Sequence, residues 1–361
     1  MKKIVICILG MVFITLACIL PQPGRVPVKA DTPAASATAA SHTPAPATQS
    51  PSLSSTPASE AVTLPTETPA LNPSPTSTAT ATAVPTVEFT ATITATPGIG
   101  STRLSETDGM KLVYVPAGEF GMGSSEAQYF AAVRLCLNAG GKIDYCSQWD
   151  MQEKPLHTVY LDAFWMDQTE VTNAMYARCV SAGACQPPAK PNSINHKLYY
   201  GEDQFADYPV IWVDWNQADA YCQWAGRQLP TEAQWEKAAR GTDGRTYPWG
   251  EGIDCQKANY NACVGDTARV GSYPAGASPY GALDMAGNVL EWVADWYSAS
   301  YYSNSPQRNP TGAASGDTKL LRGGSWDVDI YANARSAYRT YCGTDCSLSD
   351  IGFRCAISAA P

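Results

Sequence analysis

The sequence has few positive charges and no cluster of them. Its 361 residues include 24 Lys and Arg against 33 Asp and Glu, which gives a formal net charge of −9 and an isoelectric point of about 4.9. Proteins that bind phosphate backbones need a basic face. We therefore expect no nucleic acid among the partners of this protein.

Aromatic side chains are almost missing from residues 21–100, which are rich in Pro, Thr, Ser and Ala. Such a segment cannot bury enough apolar surface to offset its chain entropy. Residues 19–104 are therefore predicted to be a disordered linker, which frequent Pro biases toward an extended, semi-rigid spacer. Residues 105–361 contain most of the Trp, Tyr, Gly and Cys and are predicted to form one large domain with its own core.

Near the start of the chain, the apolar run at residues 4–16 is too short for a comfortable transmembrane helix. Two lysines precede it and Ala17 and Cys18 follow it, which is typical of a secretory signal. The Ala17-Cys18 pair resembles a bacterial lipobox, although Thr15 stands where Leu is usual. We expect residues 1–18 to be a signal region with lipid on Cys18, which would tether the protein to the outer side of the cell membrane. An ordinary signal peptide and an uncleaved anchor are the alternatives.

Twelve cysteines are present, and ten of them lie in the predicted domain. An even number in an exported protein favours five disulfides. Zinc is less favoured, because the domain has no C-x₂-C pair and only His157 and His196 as histidines. Proximity in sequence suggests four local pairs and leaves one distant pair. These pairs would be Cys136–Cys146, Cys179–Cys185, Cys255–Cys263, Cys342–Cys346 and Cys222–Cys355.

Hydrophobic periodicity predicts strands over residues 110–120 and 157–166. Helices are predicted over residues 173–182, 215–225 and 231–241, with Thr172 and Thr231 as N-caps. After residue 241 the sequence predicts mostly turns.

Seven phrases in this domain follow one another in a recognisable order. They are VPAGEFGMGS (115–124), TEVTN (169–173), VDWNQADAYCQWAGRQLPTEAQWEKAARG (213–241), YPWG (247–250), SPYGALDMAGNVLEWVADWY (278–297), LRGGSW (321–326) and IGFRCA (351–356). Their order and spacing resemble the formylglycine-generating-enzyme, or sulfatase-modifying-factor, family over residues 105–358. The resemblance implies an α+β fold of the C-type-lectin-like class with little regular secondary structure. It also implies a family disulfide between Cys222 and Cys355.

The catalytic thiols of that family are missing here. Its enzymes carry two cysteines six and eleven residues after the Arg of the R-G-G-S phrase, and counting from Arg322 gives Val328 and Asn333. In the enzymes these thiols bind copper(I) and activate oxygen, and soft thiolates are the ligands that copper(I) requires. We therefore expect no copper and no catalytic residues of that kind.

Calcium is the cofactor that the resemblance implies. In the family the D-M-A-G-N-V-L-E-W phrase binds calcium through positions that fall here on Asp284, Gly287, Val289 and Glu291. Carboxylate and backbone oxygens are the ligands that calcium prefers. The alternative is that Glu291 pairs with an arginine and Asp284 caps a turn.

A second calcium site of the family corresponds to Asn259, Tyr260, Asp266 and Ala268. The loop between these positions is shorter here and contains a predicted disulfide. Both calcium ions would be structural, because they would join loops that have little secondary structure of their own.

For function, the sequence favours an extracytoplasmic binding or accessory module of the cell envelope that recognises a peptide, a glycan or an envelope protein. The alternative is an oxidoreductase that generates formylglycine on sulfatases, which the replaced cysteines disfavour. A different extracytoplasmic modification reaction is a third possibility. The candidate contacts in the family's substrate groove are Arg322, Trp326, Asp327, Asp329 and Arg335.

Overall fold

The structure is a computed structural model that describes residues 96–261, 263–328 and 331–359. The predicted signal region, Cys18 and most of the predicted linker lie outside these residues. The first strand begins at Thr102, so the folded part starts a few residues before the predicted boundary at residue 105. Among the described residues, no helix has both the length and the apolar character needed to span a bilayer.

Short strands form three sheets. A four-stranded sheet has the order β1-β2-β5-β10, a second has the order β8-β7-β6-β9, and β3 pairs with β4 alone. Of these neighbours only β6 and β9 run parallel. The strands are β1 (Thr102–Leu104), β2 (Lys111–Val115), β3 (Gly118–Met122), β4 (His157–Leu161), β5 (Phe164–Asp167), β6 (Leu290–Trp296), β7 (Lys319–Arg322), β8 (Thr340–Cys342), β9 (Ile351–Phe353) and β10 (Ala356–Ser358).

Helices in the described residues are short, and the sequence marks the starts of the longer ones. Thr172, Asp214 and Thr231 each accept a hydrogen bond from the backbone N–H three residues later, which satisfies a donor that the helix itself leaves free. The helices are α1 (Glu126–Asn138), α2 (Ile143–Cys146), α3 (Asp150–Glu153), α4 (Asn173–Ser181), α5 (Trp215–Trp224), α6 (Glu232–Arg240) and α7 (Tyr301–Asn304). The three predicted helices are confirmed to within one or two residues at each end.

Each of the two predicted strands is in fact two strands. Pro116 has no backbone N–H for a ladder, and the chain turns there, so β2 pairs with β5 while β3 pairs with β4. The expectation of mostly turns after residue 241 missed regular structure. Five strands, β6 to β10, lie in that part. Their apolar runs are short and are separated by glycine-rich connections, so they give no clear strand pattern in the sequence.

Two clusters of buried apolar side chains form most of the core, one packing α5 and the other packing α6 against strands of both larger sheets. Trp235 of α6 and Trp292 of β6 are fully buried in it. All five predicted disulfides are present, and Cys222–Cys355 joins α5 to the chain between β9 and β10. The domain is thus a disulfide-rich α+β fold with little regular secondary structure, as predicted.

Candidate functional site

The positions of the family's two thiols lie in the loop that follows β7. Val328 is half-buried. Asn333 is 8% exposed, and its Nδ2 donates to the hydroxyl of Tyr145 at 3.0 Å. Tyr145 belongs to α2, which the Cys136–Cys146 disulfide ties to α1. Neither side chain contains sulfur, so neither position offers a soft ligand. No cysteine elsewhere in the described domain can supply a free thiol, because all ten are in disulfides.

Two of the expected groove contacts, Arg322 and Arg335, are buried in ion pairs. Arg322 is fully buried, with Nη2 bound to Glu236 Oε2 at 2.7 Å and Nη1 3.5 Å from Glu232 Oε1. Arg335 donates to both carboxylate oxygens of Glu153, at 2.6 and 2.9 Å. Both charges are thus already neutralised inside the domain, and the groove role of these two residues stays a prediction.

The other groove candidates divide into one buried and one exposed residue. Trp326 is buried, and its backbone N–H donates to the carbonyl of Asn288 at 2.9 Å. Asp327 is exposed. Asp329 lies outside the described residues. The accessible part of the expected groove is therefore the segment at Asp327 and Val328.

Glu291, an expected calcium ligand, binds an arginine and a tryptophan in the structure. Its Oε1 accepts Nη2 of Arg354 at 2.7 Å, and its Oε2 accepts Nε of Arg354 and Nε1 of Trp235, both at 2.7 Å. A carboxylate bound by the Nε and Nη2 edge of one guanidinium has its charge neutralised, and with the Trp235 donor three of its about four acceptor sites are occupied. This is the arginine pairing that the sequence left open as the alternative.

Asp284 remains available to a cation, and Glu170 is its neighbour. Asp284 adopts a left-handed backbone, φ 58°, and its Oδ2 accepts the N–H of Gly271 at 2.6 Å. Burial raises the pKa of Asp284, and this N–H offsets part of the rise. Burial also raises the pKa of Glu170 well above its usual range, and the charge of Asp284 raises it further. The two carboxyl groups interact directly.

In the second predicted set, Asn259 has a free ligand atom in its side chain. Its Oδ1 is buried without a hydrogen-bond partner among the described residues. The carboxylate of Asp266 already accepts from Ser193, Asn195 and Thr267, at 2.6 to 3.1 Å.

Backbone oxygens of the two predicted sets are partly used. The carbonyl of Tyr260 accepts the N–H of Cys263 at 2.8 Å, and that of Ala268 accepts Asn288 Nδ2 at 3.3 Å. The carbonyls of Gly287 and Val289 stay predicted ligands. Within the described ranges, no group of three or more His, Cys, Asp or Glu side chains is placed to hold a metal.

Glu170 is the residue that the sequence reasoning missed. It lies in the T-E-V-T-N phrase, which indicated the family and supplied Thr172 as the predicted N-cap of α4. Only the structure shows that this carboxyl is fully buried and so needs a partner. The partners themselves, Asp284 and Asn288, are more than 110 residues away in the chain, so only the fold brings them together.

Comparison with known proteins agrees with the motifs. The model of the sulfatase-modifying factor enzyme 1-like domain matches residues 101–359. The formylglycine-generating enzyme of Streptomyces coelicolor is 33% identical over 300 residues, which cover 68% of this chain and 89% of that enzyme.

A second relative is much longer than this chain. The serine/threonine-protein kinase pkn1 of Chlamydia caviae is 34% identical over 260 residues, which cover 68% of this chain and only 38% of the kinase. This chain thus matches little more than a third of the kinase's length.

Among solved structures, PvdO from Pseudomonas aeruginosa superposes with a TM-score of 0.57 at 24% identity, covering 73% of this chain and all of PvdO. This likeness concerns the fold alone. The predicted fold class and family are both confirmed. With its model matching residues 101–359 of 361, this chain belongs to the sulfatase-modifying-factor, or formylglycine-generating-enzyme, family.

Proposed function

We propose that this chain is a family member without the oxidase chemistry, which acts as a binding or accessory module of the cell envelope. The observation that carries the proposal is the presence of Val328 and Asn333 where the family's enzymes have their thiols. The proposal includes a lipid on Cys18 and a spacer over residues 19–104, which would hold the domain away from the membrane.

The partner would be a peptide, a glycan or an envelope protein rather than a nucleic acid, since the chain carries a net charge of −9. The exposed Asp327 and the half-buried Val328 support a surface contact near the positions where the family's enzymes carry their thiols. The buried and paired Arg322 and Arg335 are not part of this proposal.

We also propose calcium as a structural ion of the domain. Two observations support it: the carboxylate of Asp284, which faces another buried carboxylate, and the free Oδ1 of Asn259. These would be two separate sites, one holding the turn that precedes β6 and the other holding the loop at residues 259–268, each through hard oxygen ligands.

The oxidase alternative is tested with a peptide substrate. The full chain, loaded with copper(I) under oxygen, is incubated with a Cys-x-Pro-x-Arg peptide, and the peptide mass is followed. We expect no aldehyde product, because neither Val328 nor Asn333 can bind copper(I) or exchange electrons as a thiolate does.

The Streptomyces coelicolor enzyme serves as the positive control under the same conditions. A formylglycine peptide that accumulates over several turnovers with this chain would contradict the proposal. The double variant Val328→Cys/Asn333→Cys is expected to gain copper(I) binding, and each single variant serves as its control.

A further inference from the structure

A pocket lined by three tyrosines lies between α1 and the loop that follows β7. Its volume is about 240 Å³, which is below the roughly 300–1,000 Å³ of pockets that hold drug-sized ligands. The space therefore suits a single side chain of a partner better than a long ligand. The side chains that line this tyrosine pocket are Leu135, Tyr247, Glu251, Ile253, Tyr260 and Tyr331.

The walls of the tyrosine pocket are fixed by hydrogen bonds and stacking. Tyr247 and Gly250 exchange two backbone hydrogen bonds of 2.9 Å, and the indole of Trp249 stacks on the ring of Tyr247 with 4° between the planes. Trp249 Nε1 donates to the carbonyl of Gly252 at 2.6 Å, and the hydroxyl of Tyr247 donates to the carbonyl of Tyr331 at 3.4 Å. Side chains that are held in place before binding lose little freedom when a ligand enters.

The charge in the lining of the tyrosine pocket is negative. Among the described residues, no Lys, Arg or His side chain lines the pocket, whereas the exposed Glu251 does. Its Oε1 accepts the N–H of Thr246 at 3.2 Å, and no described residue donates to its Oε2. Two arginines on neighbouring segments, Arg245 and Arg335, are already bound to carboxylates.

Tyrosine rings together with a carboxylate form a site for an organic cation. An aromatic ring attracts a cation electrostatically, and the carboxylate neutralises its charge. Glu251 offers Oε2, which a lysine ammonium can use as a point charge, whereas a guanidinium binds best through two oxygens. A sugar presents several hydroxyls that need partners, and besides the tyrosines the only polar side chain in the lining is Glu251 among the described residues. Lysine is therefore the best match.

We propose that the tyrosine pocket binds the ammonium group of a lysine side chain on an envelope protein. Tyr247, Tyr260 and Tyr331 contact the alkyl chain and the ammonium, and Glu251 supplies the opposite charge. Tyr331 precedes Asn333 by two residues, so the pocket lies next in the chain to a position where the family's enzymes carry a thiol. This inference rests on the binding module of the proposed function and names the chemistry of its partner.

The test titrates the full chain in detergent with short peptides and follows the peptide signals by saturation-transfer NMR. The probe is acetyl-Gly-Lys-Gly-amide, and acetyl-Gly-norleucine-Gly-amide is its control because it has the same alkyl chain without the ammonium. We expect the lysine peptide to bind about tenfold more tightly, since only this peptide gains the cation–π and ion-pair contacts. Added salt should weaken its binding, because the carboxylate of Glu251 is exposed.

Two variants separate the two kinds of contact. Glu251→Gln keeps an acceptor for the N–H of Thr246 and removes the charge, so it should weaken lysine binding about fivefold and remove most of the salt dependence. Tyr331→Leu removes one ring and should weaken binding about threefold, whereas Tyr331→Phe should keep the wild-type affinity. Asp317→Asn, at an exposed position outside the pocket, is the control and should bind as wild type does. Because Glu251 is exposed, Glu251→Gln tests the proposal even if Tyr331→Leu does not fold.

The lysine site would be overturned by any of three results. They are no binding of the lysine peptide to wild type at millimolar concentrations, equal affinity for the norleucine peptide, and wild-type affinity in Glu251→Gln. Binding of N-acetylglucosamine in place of the lysine peptide, with its loss in Tyr331→Leu, would also overturn it and make the pocket a sugar site.

The lysine titration and the oxidase test fail independently. A formylglycine product in the oxidase test would overturn the proposed function, and the lysine titration does not depend on that assay. Failure of lysine binding without such a product would overturn the lysine site and leave the binding module in place.

Discussion

Charged side chains are buried throughout this domain, and most of them are paired with the opposite charge. Arg322, Arg339 and Arg354 are each fully enclosed and each binds a buried carboxylate. Asp295 is held differently, because its Oδ2 accepts the backbone N–H of Glu232 at 2.9 Å. Burial raises the pKa of Asp295 to about 7, and the nearby charge of Glu232 adds to the effect.

This raised pKa predicts a loss of stability with rising pH. In the unfolded chain an Asp ionises near pH ~3.9. Between about pH 4 and 7 the folded state holds a proton that the unfolded state has released, so this carboxyl should lower the free energy of unfolding by up to about 1.4 kcal/mol per pH unit. Its contribution is therefore fully present below pH ~4 and is lost as the pH rises through 7.

Asp295→Asn should remove this part of the pH dependence, because the amide oxygen can still accept the N–H of Glu232. Urea denaturation of both proteins between pH 4 and 8 measures the difference directly. Asp317→Asn, at an exposed position, is the control and should follow wild type. Parallel pH profiles for wild type and Asp295→Asn would contradict the role assigned to this carboxyl.

At the scale of elements, α6 organises the charged interior. Eight of its nine residues are buried, and they include Glu232, Glu236, Lys237 and Arg240. Its start is fixed by a reciprocal cap, in which Thr231 Oγ1 accepts the N–H of Gln234 at 3.2 Å and Gln234 Oε1 accepts the N–H of Thr231 at 2.9 Å. The helix therefore places several ion pairs at once.

Thr231→Ala should lower the free energy of unfolding by about 1 kcal/mol, because the first turn of α6 loses the acceptor for one of its free N–H groups. Thr231→Ser keeps that oxygen and should retain most of the stability. Urea denaturation at one pH compares the three proteins. Equal losses in the Ala and Ser variants would show that the methyl group, rather than the cap, matters at this position.

At the scale of the whole molecule, one disulfide spans most of the domain. Cys222 and Cys355 are 133 residues apart, whereas Cys342 and Cys346 are only four apart. Because a cross-link stabilises mainly by restricting the unfolded chain, removal of the long loop by Cys222→Ala/Cys355→Ala should cost about 5 kcal/mol. The same change at the short loop, Cys342→Ala/Cys346→Ala, should cost about 2 kcal/mol.

Denaturation of the two double variants measures this difference, and thiol titration of the unreduced, denatured domain should find no free thiol in residues 105–361. Equal costs for the two loops would contradict the loop-entropy explanation. Peptide mapping that paired Cys222 with Cys263 would contradict the connectivity itself.

The sequence by itself determined the features that depend on nearby residues or on a count. Thr172 and Thr231 mark helix starts through hydrogen bonds that span three residues, so local reading found them. The close cysteine pairs are likewise local, and the remaining pair followed from the even number. The replacement of the thiols by Val328 and Asn333 followed from the resemblance, which supplied the family's spacing to be counted from Arg322.

Only the tertiary structure decided which charges meet. The sequence placed Arg322 and Arg335 in a groove, but both neutralise carboxylates that lie more than 80 residues away in the chain. It placed Glu291 on calcium, whereas the fold brings Arg354 to it from 63 residues further on and leaves Glu170 facing Asp284. A buried charge is costly without a partner, and that partner can come from any part of the chain that the fold brings near. A local sequence pattern therefore does not predict which charges pair.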